Sequence, residues 1–203
     1  MNNDTLTKRW RTVKSKTPII GIDDGGFDRF SKEDIIVPVF GVIMKGAAYV
    51  DGIIQCYLKR DDSEATTTIT NMILESPHKN QIKAIFLQGI TIAGFGVIDI
   101  INLFEITGIP VIVVLRKSPD YPKIQRALEK TFPDDQERWS SIQRAGDLVK
   151  VQEDPLLLIQ IAGIHPRDAS LLIKKCTAIG TIPEALRIAH FIGVSYYHYP
   201  SQM

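Results

Sequence analysis

Three observations predict an α/β fold in which a mixed sheet is covered by helices. From Pro18 to Arg60 the chain carries β-prone apolar runs broken at glycines, and beyond Asp61 the apolar period lengthens to that of helices. Two later runs, KAIFLQGI and VIVVL, are apolar almost without interruption, as in strands buried on both faces. A hairpin pairs antiparallel, whereas strands separated by helices pair parallel through crossovers, so both directions must coexist in one sheet.

The elements follow in order. Pro18 to Asp23 is a first strand, stopped at Gly25-Gly26. IIVPVFGVIMKGAAYVDGIIQCYLKR is a two-stranded hairpin turning at Lys45-Gly46, with Pro38 marking a strand start or an edge. In DDSEATTTITNMILESP, Asp and Ser cap a helix whose apolar face is Ala65, Ile69, Met72 and Ile73, and Pro77 stops it. Four threonines lower its propensity, so packing must sustain it. KAIFLQGI is a buried strand, Phe95 to Thr107 a helix ending at Gly108, and VIVVL another strand. KSPDYPKIQRALEKTF gives a loop and an amphipathic helix, and the polar segment DDQERWSSIQRAGDLVKVQED leads to a tail. The succession strand, hairpin, helix, strand, helix, strand, helix predicts a ribonuclease H-like fold. A doubly wound domain would need helices where the early hairpin stands. Residues 1–17 form a basic extension and 18–203 one domain, within which 155–203 is helical.

The 203 residues carry a net charge of +1, so any nucleic-acid binding must rest on local clusters. Lys8, Arg9, Arg11, Lys14 and Lys16 around Trp10 form one such cluster, either a solvated extension or a phosphate-contacting arm. No apolar run is long enough for a membrane span, and the amino terminus lacks the apolar centre of a secretory signal, which predicts a cytoplasmic protein without membrane partners. Cys56 and Cys176 follow no zinc or disulfide spacing.

Acidic side chains gather at predicted element ends. Asp23 and Asp24 close the first strand, and Asp61, Asp62 and Glu64 stand at the first helix's start, where the helix dipole alone would favour them. Hard cations such as Mg²⁺ or Mn²⁺ require oxygen ligands converging from separate elements. At the end of the next strand stands Gln88, whose oxygen is neutral. Gly89, Gly94 and Gly96 allow either close approach of a phosphate or tight packing. Arg116 and Lys117 leave the VIVVL strand at its carboxyl end, where they either meet a phosphate or mark a solvated exit.

On GIDDGGF, RDDSEAT, LQGITIAGF, GIPVIVVLRKSPD and RIAHFIG, the chain resembles, over nearly its whole length, an archaeal family catalogued as a domain of unknown function, number ninety-nine. That family is related to endonuclease V. The resemblance implies a ribonuclease H-like core and Mg²⁺-dependent cleavage of a nucleic-acid strand near a deaminated base, including deoxyuridine in DNA. It matches Asp23 to the first-strand aspartate, Glu64 to the helix-start glutamate, Asp61 to a family aspartate, and Lys117 to the lysine after the fifth strand. Gln88 stands where the family usually has aspartate, and the aromatic wedge of endonuclease V is missing, so inosine specificity does not carry over.

The expectation is a divalent-metal-dependent endonuclease, or a nuclease-like binding protein weakened by Gln88. Asp23 and Glu64 are the principal Mg²⁺ or Mn²⁺ ligands, with Asp24 and Asp61 auxiliary and Gln88 a weakened third. Asp23, Glu64 and Lys117 are catalytic, while Gly89, Gly94, Arg116 and Lys117 contact the nucleic acid, DNA or RNA. In the tail, LIQIAGIHPRDASLLIKK resembles a helix-hairpin-helix, although a plain helix-turn-helix unit fits better because His165 replaces a glycine. His190 is read as a packed histidine, since no second histidine stands at i+4.

Overall fold

The structure, a computed structural model, describes residue 10, residues 12–28 and residues 35–198. Strands β1 (Pro18–Asp24), β2 (Ile36–Lys45) and β3 (Val50–Lys59) form an antiparallel meander. Helix α1 (Ala65–Glu75) leads to β4 (Ile85–Gln88), and a small hairpin of β5 (Thr91–Ile92) and β6 (Gly96–Val97) precedes α2 (Ile100–Thr107). β7 (Val111–Leu115) is followed by α3 (Tyr121–Thr131), α4 (Glu137–Arg144), β8 (Val149–Gln152) and β9 (Leu157–Ala162). Helices α5 (Pro166–Cys176) and α6 (Glu184–His198) complete the described chain.

Seven strands make one sheet in the order β3-β2-β1-β4-β7-β9-β8. β1, β4 and β7 are parallel and central, and their carboxyl ends lie together. This is the mixed sheet flanked by helices that the element order predicts. Pro38 is the third residue of β2, which lies inside the sheet, so it marks a strand start and not an edge.

Alternation along β1 sorts the core into two layers. Ile20 and Ile22 pack with Ile69, Ile73 and Leu87 beneath α1 and α2, whereas Ile19 packs with Phe86, Ile112, Leu172 and Leu186 beneath α5 and α6. In α1 each threonine costs several tenths of a kcal/mol relative to alanine. Fully burying Ile69 and Ile73 returns about 1.5–3 kcal/mol each, so packing outweighs propensity.

Three expectations are corrected. The helix placed at Phe95 begins at Ile100, because Asp99 caps it by accepting from the Ile101 and Asn102 amides at 3.0 Å each. Within 155–203, residues 157–162 form β9, paired antiparallel to β7 inside the sheet, and helix resumes only at Pro166. Ile161 therefore lies on a strand, and neither a helix-hairpin-helix nor a helix-turn-helix forms around Gly163. The polar segment after Pro133 contains α4 and β8. Of the basic amino-terminal cluster, Lys8, Arg9 and Arg11 lie outside the described residues.

Candidate active site

The site begins with a glycine in β1. A Cβ on Gly21 would lie 2.4 Å from the Ala185 carbonyl carbon and 2.5 Å from the Leu186 amide, so α6 rests directly on the strand there. Two residues along a strand and four along a helix each advance roughly 6–7 Å. The chain therefore brings Asp23 level with His190, and the His190 Nδ1 lies 3.0 Å from the Asp23 Oδ2. The carboxylate is largely enclosed, with 13% of its side chain exposed, while the imidazole is 50% exposed. The histidine read as packed is thus an open partner of the first-strand aspartate. The sequence held a signal for it: Ala185, Ala189 and Gly193 form a stripe of small residues at i, i+4 and i+8, the mark of a helix laid close against its neighbour.

Burial raises the Asp23 pKa from 3.8 to about 6, and the adjacent Asp24 charge adds to the rise, while His190 opposes it. Beside it stands Gln88. Ile22 pairs with Leu87 in parallel register, so the next residues, Asp23 and Gln88, lie side by side and share the α6 face of the sheet. The Gln88 Oε1 is buried and accepts no hydrogen bond, alone in this among the described residues. Leaving such an acceptor unpaired costs about 1–3 kcal/mol, which marks a position held for something other than folding.

Asp24 and Asp61 serve the neighbouring hairpin. Asp24 Oδ2 accepts from the Ala93 amide. Asp61 donates its own amide to the Ala93 carbonyl at 2.8 Å and accepts from the Phe95 amide through Oδ1 at 2.7 Å. Gly94 between them has φ 96°, and a Cβ there would come within 2.3 Å of the Asp61 Oδ1. The loop thus requires glycine both for its backbone and for the closeness of the carboxylate. Arg138 of α4, buried, seals the arrangement by donating to the Asp61 and Phe95 carbonyls and to Asp135, with its guanidinium 4.3 Å from the centre of the Phe132 ring. Nothing in the polar segment's composition singled this arginine out.

Glu64 does not join Asp23. It occupies the cap position of α1, accepts from the Thr67 hydroxyl at 3.2 Å, and faces a separate depression shared with Asp99, Asp135 and Glu137. Among the described residues no three of His, Cys, Asp and Glu gather as a metal cluster. The four carboxylates do not converge; His190 stands at Asp23, with Gln88 on the neighbouring strand.

A cavity of about 610 Å³ opens at the carboxyl ends of β4 and β7. Phe27, Phe95 and Tyr121 contribute aromatic walls, Gly89 and Gly94 part of the lining, and Arg60, Lys117 and Lys123 positive charge. Arg116 is exposed and lies outside this lining. Lys117 and the two glycines share one cavity.

Residues 15–196 match the endonuclease dU family. The UPF0215 protein of Methanothermobacter thermautotrophicus is 43% identical over 183 residues, covering 90% of this chain and 89% of its own. A protein of unknown function from Archaeoglobus fulgidus superposes with a TM-score of 0.81 at 32% identity, over 90% of this chain and 98% of that one. Endonuclease V of Ciona intestinalis, solved with DNA containing an inosine, shares the fold at a TM-score of 0.54 and 11% identity, over 85% of this chain and 82% of that one. By its sequence along nearly the whole described length, the chain belongs to the endonuclease dU family.

Proposed function

We propose that this protein is a divalent-metal-dependent endonuclease that cuts a nucleic-acid strand near a deaminated base. One observation carries the reading: an enclosed carboxylate, Asp23, paired with an open imidazole, His190, beside the unsatisfied oxygen of Gln88 at the carboxyl end of the sheet. Family membership and the endonuclease V fold of the DNA-bound Ciona protein support it.

The donor set fits a hard cation, because the Asp23 oxygens and the orphaned Gln88 Oε1 offer two oxygen sources on one face of the sheet. When bound, Mg²⁺ or Mn²⁺ supplies positive charge against the charge that develops on a phosphodiester during hydrolysis. Above about pH 6 Asp23 is anionic, able both to hold a cation and to accept a proton from an attacking water, and His190 can take that proton onward to solvent. Lys117 and Lys123 at the cavity rim neutralise backbone phosphates. The aromatic walls suit an extruded base, and a deaminated base, weakly paired, leaves its duplex at lower cost.

A second reading has its own observation. Gln88 supplies a neutral oxygen where the resemblance expects aspartate, which favours a homologue that binds nucleic acid without cutting it. Incubation with uracil-, hypoxanthine- and mismatch-containing DNA and RNA oligonucleotides in Mg²⁺ or Mn²⁺ separates the two. Cutting at the altered base supports the enzyme. Binding without cutting, converted to cutting by Gln88→Asp, supports the second reading.

A further inference from the structure

The meander leaves β3 at the edge of the sheet, a ten-residue strand paired only to β2 among the described residues. Open edges are ordinarily guarded by charge, proline or brevity, because their unpaired amides and carbonyls template another strand. From Gly52 to Leu58 this edge reads GIIQCYL, with neither charge nor proline. Its outer row is in water, with Ile53 55% and Tyr57 50% exposed on either side of Gln55. Helix α6 lies on β1, β2 and β4, and the same face of β3 is left open beside it. The patch does not stop at the strand, since Gln55 pairs in register with Phe40, whose ring packs 5.7 Å from that of Tyr196 on α6. Of the twelve large apolar side chains exposed among the described residues, nine lie on the β2–β3 hairpin or on α6. The exposure is therefore concentrated at one side of the molecule, as at an interface and unlike scattered surface residues.

We propose that the occupant of this edge is a second copy of the chain, with the two β3 strands paired antiparallel about a twofold axis through Gln55. The strand is complementary to itself in that register. Ile53 of each copy meets Tyr57 of the other, a favourable pairing of β-branched and aromatic side chains made twice. The twofold keeps both α6 helices on one face, extending the apolar patch across the junction. It also turns the two β1 strands in opposite directions, so the two Asp23 sites open at opposite ends of a continuous sheet. This assembly is independent of whether the protein cuts nucleic acid.

Light scattering on the full chain should give twice the chain mass, and Ile53→Asp, at a half-exposed position, should give the single-chain mass with unchanged circular dichroism. Gln55→Cys supplies a second readout. Directly opposed antiparallel positions lie within disulfide reach, so it should form a covalent dimer under mild oxidation that thiol reductant reverses. A monomeric wild type, a dimer that survives Ile53→Asp, or a Gln55→Cys protein that stays uncrosslinked would each overturn the proposal.

Discussion

At the scale of the residue, Asp23 is asked to be both enclosed and charged. Its pKa is raised in the folded chain, so the unfolded chain releases this proton first, and folding is favoured in full only below 3.8, with that contribution lost as pH rises through about 6. At neutral pH the anion therefore works against the fold, by at most about 3 kcal/mol. Asp23→Asn should raise the melting temperature of the metal-free protein at pH 7, with the gain vanishing in acid, while it removes cleavage. His190→Ala, at a half-exposed position, should cost little stability but lower the cleavage rate by about 10²-fold if the imidazole relays a proton. Gln88→Asp adds a second anion beside the first. It should lower the melting temperature without metal and produce a larger stabilisation by Mn²⁺ than wild type shows, measured by calorimetry. Asp23 and Gln88 were legible in the sequence because strand ends are marked by punctuation residues. His190 was not, because its contact depends on how closely α6 settles on Gly21. Glu64 stands apart from Asp23, and its pattern was ambiguous for a physical reason: the helix dipole favours an acid at a helix start with or without a metal.

At the scale of the element, the hairpin Thr91–Val97 lies outside the seven-stranded sheet. It is held by Asp24, Asp61 and Arg138 around the Ala93–Phe95 backbone. Asp61→Ala should destabilise the protein by about 1–3 kcal/mol, through the unpaired amide it leaves at Phe95, and should weaken oligonucleotide binding at the adjoining cavity more than it alters the bond-breaking step. Denaturant unfolding and single-turnover kinetics separate the two effects. FGVIDIINLFEIT kept a helical spacing through this hairpin, which hid it. Only the two-amide cap made by Asp99 fixes where helix begins. PLLLIQIAG was likewise opaque, since a continuous apolar run reads equally as buried strand or buried helix, and pairing with β7 decides for β9. The early hairpin and the KAIFLQGI and VIVVL strands were clear because their flanking turns and lengths agreed with their periodicity.

At the scale of the whole molecule, the sheet gathers the carboxyl ends of β1, β4 and β7, and with them Asp23, Gln88 and Lys117, into one region. The net charge of +1 gives no general attraction for a polyanion, so any nucleic-acid binding must depend on local clusters of cations such as the one at the cavity. Lys117→Ala and Lys123→Ala should each reduce the slope of log affinity against log salt by about one, uniformly across sequences. Among the described residues no helix is long and apolar enough to cross a membrane. The central claim is tested most directly by one comparison: cleavage of two DNA strands that differ only in one uracil for thymine, in Mn²⁺, by wild type and by Asp23→Asn. The account predicts a cut beside the uracil by wild type alone, with the Asp23→Asn protein folded and inert. Equal cutting of both strands, or cutting that persists in Asp23→Asn, would contradict it.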